Sequence, residues 1–436
     1  MMSRCREMSL SAAVAEIADG SKVVLGHGAV TPNCVVEELV RQRERFRALQ
    51  IFHLIYLGEP VHLERGMEQH MRVCSPFLSG GAMRHAVREG RADFIPRHFS
   101  QVPMLFGEGG AFQPDWAVVQ VTPPDAEGRY SCSLSSDYTL PAARCAKRVL
   151  AVVNPELPYI GGDNFLRAEE IDILVTHASQ PHTLPTATPG EVDLEIARYC
   201  AELIPDRATL QIGIGALPDA VLGLLKGHKD LGIHTELLTP GVLELYQSGA
   251  ITGSYKGVRP GVMTAAFTMG DEALYRFLGE HRVLEQYPVD WVNDPFVIGQ
   301  NERMISINSC IELDLYGQVC AEKVGGEMFS GSGGQVDYVR GARLSKGGKS
   351  IIALPSTAKG GALSRIVPVL GHGNVVTTGR NDVDFIVTEY GVAALAGKSE
   401  LQRAEALVSI AHPAFREELE RAVWEQFPAK RFWSNQ

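Results

Sequence analysis

A glutamate inside an apolar strand is the first residue to account for. Leu231–Leu238 reads as a short strand, apolar at both ends and interrupted by Glu236, with His234 two positions earlier. Removing a carboxylate from water costs several kcal/mol unless partners compensate, and proteins carry that cost most often at functional sites. A carboxylate so placed is a candidate functional residue. A salt-bridged or edge-exposed Glu236 is the structural alternative, and the pattern alone leaves both open. His234 reads as a packing or orienting residue, since no second His or Cys stands nearby at ligand spacing.

Glycine-rich turns form the second group. Gly26-His-Gly28 and Gly213-Ile-Gly215 each follow an apolar strand and precede a helical pattern. Such a turn serves a tight bend or lets backbone approach a ligand. The tight bend fits Gly26 and Gly28, and ligand binding fits Gly213 and Gly215. In Phe329–Tyr338 the run Gly331-Ser-Gly-Gly-Gln335 can present successive N–H groups as an anion-binding nest, or be a plain loop. Lys346, Lys349 and Lys359 stand among glycines and read either as phosphate contacts or as solvated turns. No Walker A motif is present.

The elements that must position these residues come in two copies. Lys22–Val30 and its helix Val35–Val40 are answered by Thr209–Leu217 and Ala220–Leu225. Asp125-x-x-Gly128 with Cys132 is answered by Asp314-x-x-Gly317 with Cys320. Ala146–Val152 is answered by Gly348–Leu354, and Glu170–Thr176 by Asp382–Thr388. Four matches in one order imply two tandem domains of one α/β fold, over 1–186 and 187–436. The joint falls in the Pro/Thr-rich stretch Pro181–Gly190, whose prolines resist helix and central strand alike. Strands alternating with helices imply mostly parallel sheets, with ligands at the carboxyl ends of the strands. The first-half counterpart of the Glu236 strand is Leu49–Leu57. Aligning His53 with His234 puts Ile55 where Glu236 stands.

Composition narrows the class. The chain has 436 residues, 41 basic and 51 acidic, for a net charge of −10, and 44 glycines. This balance disfavours nucleic acid and membrane surfaces, which are polyanionic. The cysteines at 5, 34, 74, 132, 145, 200, 310 and 320 form no C-x-x-C pair. They fit a reducing cytoplasm, and no metal is expected. The N-terminus lacks the apolar stretch of a signal peptide, and no apolar run is long enough to span a membrane.

Several blocks resemble one family. Gln211–Val221, Ile233–Glu236, Asn301–Glu322, Gly331–Gly341, Val387–Gly391, Ala411–Arg416 and Gly90–Phe94 are similar to segments of the acetyl-CoA hydrolase/transferase family, above all its members acting on 4-hydroxybutyrate or on butyrate with acetate. The resemblance implies two related domains of the NagB/RpiA/CoA-transferase type. It implies an acyl-CoA:carboxylate CoA-transferase of the EC 2.8.3 kind, with Glu236 as the catalytic carboxylate. CoA contacts are implied at Gln211, Ile212, Gly213, Ile214 and Gly215, at Ile311, and at Gly333 and Gly334. Lys359 and Arg365 are candidates for the CoA phosphates. CoA is then substrate and no cofactor is tightly bound; a homo-oligomer, a dimer, is expected. Ping-pong transfer through a glutamyl-CoA thioester would follow. The alternatives are a short-chain acyl-CoA hydrolase on the same scaffold, a non-catalytic acyl-CoA sensor, and a sugar-phosphate isomerase-like enzyme. The Gly331–Gln335 block and the His-Thr-Glu placement speak against the last.

Overall fold

The computed structural model describes residues 5–185 and 187–427. Residues 1–4, part of the N-terminus read above, and the expected boundary residue Thr186 lie outside them. The chain forms two compact units. One comprises residues 5–185 with 234–240 and 262–294; the other comprises 187–233, 241–261 and 295–427. Glu236 therefore belongs with the unit built mainly from the first half.

The first unit contains an all-parallel eight-stranded sheet. Its spatial order is Arg6–Glu7, Ile173–Thr176, Arg148–Val153, Trp116–Val121, Lys22–Leu25, Leu49–Phe52, Met71–Ser75 and Ala92–Phe94. Trp116–Val121 is buried at every position, as a parallel strand covered on both faces must be. The helix Asn33–Arg41 buries Val35, Val36 and Leu39 along one stripe and packs beside the helix Leu10–Ala15.

The second unit repeats this arrangement. Thr209–Ile212 pairs in parallel with Met304–Asn308, which pairs with Lys349–Ala353, which pairs with Phe385–Thr388. An antiparallel strand, Gly391–Ala394, closes that edge. On its other side Thr209–Leu210 pairs with Gly232–Ile233. Within the first unit, the rest of Gly232–Leu238 pairs with Met263–Thr268, which pairs with Leu284–Gln286. The successive pairings reproduce, strand for strand, the first sheet from Ile173–Thr176 to Ala92–Phe94.

The repeated Asp-x-x-Gly is a turn in both copies. The Asp125 carboxylate accepts the N–H groups of Glu127 and Arg129, both at 2.9 Å, and Gly128 takes φ +73°. Asp314 accepts the N–H groups of Tyr316 and Gln318 at 3.1 and 2.9 Å, and Gly317 takes φ +82°. This side-chain mimicry of a backbone turn explains why the motif survives in both halves.

One expected strand is shorter. Leu49–Leu57 is strand only over Leu49–Phe52. Beyond Phe52 the chain turns: the Ile55 carbonyl accepts the Gly28 N–H at 2.8 Å, and His53 Nε2 meets His62 Nε2 at 2.9 Å. The apolar run continues because the loop packs inward. The counterpart Gly232–Leu238 stays in sheet for seven residues, carrying Glu236 within it.

Candidate active site

Glu236 is the one residue of its strand that is not buried; His234, Thr235, Leu237 and Leu238 around it all are. Pairing to the neighbouring strand joins Thr235 to Ala265 and Leu237 to Phe267. Between those pairs the Ala266 carbonyl accepts the backbone N–H groups of Ser136 and Asp137, at 3.2 and 3.1 Å.

A buried amide holds the carboxylate. Asn293 Nδ2 donates to Glu236 Oε2 at 2.7 Å, and Asn293 is fully buried. Asn293 closes the short helix Val289–Val292, where its N–H bonds the Val289 carbonyl at 2.9 Å. His234 Nε2 lies 2.8 Å from the Val292 carbonyl; a carbonyl only accepts, so Nε2 carries the proton and donates. The same strand that carries Glu236 thus pins the turn that presents Asn293 to it. Asn293 Oδ1 is buried without a hydrogen-bond partner, so one half of the amide is committed to Glu236 and the other is unsatisfied.

Asn293 escaped the sequence reading. It stands far along the chain from Glu236, in Val-Asn293-Asp-Pro, and no periodicity links the two. Its signal was an asparagine ending a helix just before Pro295, which reads equally well as a cap.

The second unit gathers the glycine loops. Gln211 and Ile212 end a strand and are buried, whereas Ile214 is exposed. Gly215 has φ +116°, and the helix Ala216–Leu224 starts directly after it. A Cβ added at Gly213 or Gly215 would meet open space. Gly28, the first-half counterpart, lies instead against protein: a Cβ there would stand 3.3 Å from Met269 Sδ.

Side-chain amides tie these loops to the neighbouring strand end. Asn308 Nδ2 donates to Gln211 Oε1 at 3.2 Å. Next along the chain, the Ser309 carbonyl accepts Gln335 Nε2 at 2.7 Å, and Gln335 Oε1 accepts the Thr378 hydroxyl at 3.0 Å. Gln335 begins the helix Gln335–Leu344, immediately after Gly333, at φ +51°, and Gly334. Hydrogen bonds therefore join Gln211 to Asn308 and the adjacent Ser309 to Gln335, which directly follows Gly334. Ile311 is partly buried, with its N–H on the Cys320 carbonyl at 2.8 Å.

The basic residues separate. Lys349 Nζ bonds the Leu203 carbonyl at 2.7 Å, and Lys346 pairs with Glu302 at 3.1 Å, so both are engaged by protein. Lys359 is exposed at the tip of the hairpin between Thr357–Ala358 and Leu363–Ser364. Arg365 Nε is buried without a hydrogen-bond partner, while Nη1 lies 3.5 Å from the Cys310 carbonyl.

Comparison with known proteins agrees across the chain. A family model for the acetyl-CoA hydrolase/transferase N-terminal domain matches residues 5–184, and one for the C-terminal domain matches 270–423. The chain is 47% identical over 407 residues to the 4-hydroxybutyrate coenzyme A transferase of Clostridium kluyveri, covering 93% of this chain and 94% of that one. Its fold superposes on the crystal structure of 4-hydroxybutyrate CoA-transferase from Porphyromonas gingivalis with TM-score 0.84 and 42% identity, covering 97% of this chain and 98% of that one. RipA from Yersinia pestis gives TM-score 0.89 at 33% identity, covering 97% of each chain. With its two tandem α/β domains and mostly parallel sheets, the chain belongs to the acetyl-CoA hydrolase/transferase family.

Proposed function

We propose that the protein moves CoA between short-chain carboxylic acids, 4-hydroxybutyrate or butyrate with acetate, using Glu236 as nucleophile. The similarity to the 4-hydroxybutyrate enzymes supports the substrate class. The observation that carries the mechanism is the Glu236 carboxylate, reachable from solvent and held through Oε2 by a buried amide.

A carboxylate nucleophile preserves the thioester that hydrolysis would discard. Glu236 attacks the acyl-CoA carbonyl, the C–S bond breaks, and CoA thiolate leaves an acyl-glutamyl anhydride. The thiolate attacks the glutamyl carbonyl and expels the first carboxylate, leaving a glutamyl-CoA thioester. A second carboxylate attacks that thioester and expels the thiolate. The thiolate then attacks the new acyl carbonyl, releasing the new acyl-CoA and restoring Glu236. At each step on the glutamyl carbon, negative charge gathers on its carbonyl oxygen. Asn293 Nδ2–H, already on Oε2, is placed to receive it. The open backbone around Gly213 and Gly215 suits the approach of CoA, whose charge local N–H groups can meet.

Trapping tests the reading. The protein is incubated with butyryl-CoA or acetyl-CoA without acceptor, reduced with borohydride, and digested for mass spectrometry. Reduction at Glu236, with loss of transfer activity, is the expected result. An unmodified Glu236, or a Glu236→Ala variant with full transferase activity, overturns it. Comparing acyl-CoA loss with and without acetate, butyrate or 4-hydroxybutyrate ranks the acceptors. Acyl-CoA loss that ignores every acceptor would mark a hydrolase instead.

A further inference from the structure

The first-half copy of the glycine turn does not border open space, and what it touches is informative. Within the first unit, His27, between Gly26 and Gly28, is fully buried, and its Nε2 lies 2.9 Å from Oδ2 of the fully buried Asp137. The Ile55 backbone N–H points at His27 Nδ1 from 3.4 Å, which leaves the proton on Nε2, facing the carboxylate. Asp137 also accepts the Ser135 hydroxyl at 2.5 Å, the Tyr138 N–H at 2.6 Å, and the Thr139 N–H and hydroxyl at 3.1 and 3.2 Å. The His27 ring packs between Tyr138 and Phe267, with centroids 4.8 and 5.0 Å away.

This cluster is joined to both structures that flank Glu236. The Asp137 N–H bonds the Ala266 carbonyl at 3.1 Å, and Ala266 lies between the residues paired with Thr235 and Leu237. The Asp137 carbonyl accepts the Val289 N–H at 3.0 Å, and Val289 opens the short helix that ends at Asn293. One residue thus fixes the strand beside the carboxylate and the helix that carries its amide partner. A carboxylate with this many donors cannot shift without leaving buried groups unpaired, so its backbone is held as firmly as its side chain.

We infer that His27 and Asp137 are positioning residues for Glu236: the first copy of the glycine turn, closed upon protein, braces the nucleophile carried by the strand Gly232–Leu238. This rests on the reading of Glu236 as nucleophile. Displacement of a reacting group by about 1 Å can cost about 10²-fold in rate, so the brace should be felt in kcat.

The experiment uses the full-length protein and counts competent sites by borohydride trapping, so that kcat is expressed per trapped Glu236. The variants are His27→Leu, His27→Gln, which keeps an N–H donor, and Ser135→Ala, which removes one hydroxyl from Asp137 and leaves the pair in place. Expected are a kcat per site at least tenfold lower in His27→Leu, a partial recovery in His27→Gln, and a smaller loss in Ser135→Ala. KM for acyl-CoA should stay within twofold in all three. A purely structural role would instead lower the melting temperature and the number of trapped sites, with normal kcat for each remaining site. That pattern, or unchanged kcat per site in Ser135→Ala should the His27 variants not fold, overturns the inference while leaving the Glu236 reading intact. Absence of the adduct in the unaltered protein overturns both.

Discussion

Asn293 has a side chain with a single engaged donor. Its Nδ2 reaches Glu236 at 2.7 Å, and its Oδ1 is unsatisfied. The donor half of the amide is thus committed to the carboxylate. Asn293→Ala should lower kcat by about 10²–10³, the usual cost of one oxyanion donor, and change KM for acyl-CoA little. Steady-state kinetics with butyryl-CoA and acetate check this; a raised KM with unchanged kcat would place Asn293 in binding. Glu236 was legible as an apolar strand broken by a charge; the first-half run set beside it leaves the sheet after Phe52, and the strand registers put Leu54, not Ile55, at the corresponding place. Asn293 was not, because its role arises from a turn that His234 pins across the fold, and sequence spacing holds no record of such a contact.

At the scale of elements, the duplication was readable because both copies need the same turns and the same buried parallel strands. The Asp-x-x-Gly turn shows why: a carboxylate that caps its own turn is selected wherever that turn recurs. Asp314 is fully buried and accepts from Tyr316 N–H, Gln318 N–H and Gln318 Nε2, the last at 2.7 Å. Asp314→Ala should therefore lower stability by about 1–3 kcal/mol, seen as a lower urea midpoint with unchanged slope. A stability equal to the parent's would show the turn to be held by its backbone alone. The end of the first-half strand was not readable. Leu49–Leu57 is apolar throughout, and an apolar loop packed inward looks the same as a strand in sequence. The distribution of segments between the two compact units was equally hidden, since covalent order places Glu236 in the second half while packing places it in the first unit.

For the molecule as a whole, stability answers to pH through individual side chains rather than through the net charge of −10. Among the side chains that titrate, two sets lose stability as pH falls, in different windows. Glu16, Glu89 and Asp125 are each held down to about 2 by hydrogen bonds from Arg6, Arg65 and the Arg129 backbone N–H, in that order. A carboxylate lowered in the folded state favours folding above its unfolded value and loses that contribution only as pH falls toward 2. The buried His53–His62 pair acts earlier. Burial lowers His53 from the usual 6.5 to about 4, and His62 well below its usual value, so both stay neutral when folded. Unfolding then takes up protons below pH 6.5, and stability falls as pH drops from there toward 4, by up to about 1.4 kcal/mol per pH unit for each histidine. The urea midpoint should carry a downward contribution from this pair between pH 7 and pH 5, opposed by Asp219, Asp290, Glu322 and Asp384, whose carboxyls burial raises and which favour folding as pH falls; His62→Gln should lower the acid sensitivity relative to the unaltered protein. An acid sensitivity equal in His62→Gln and the unaltered protein would show that the pair is not kept neutral by its burial.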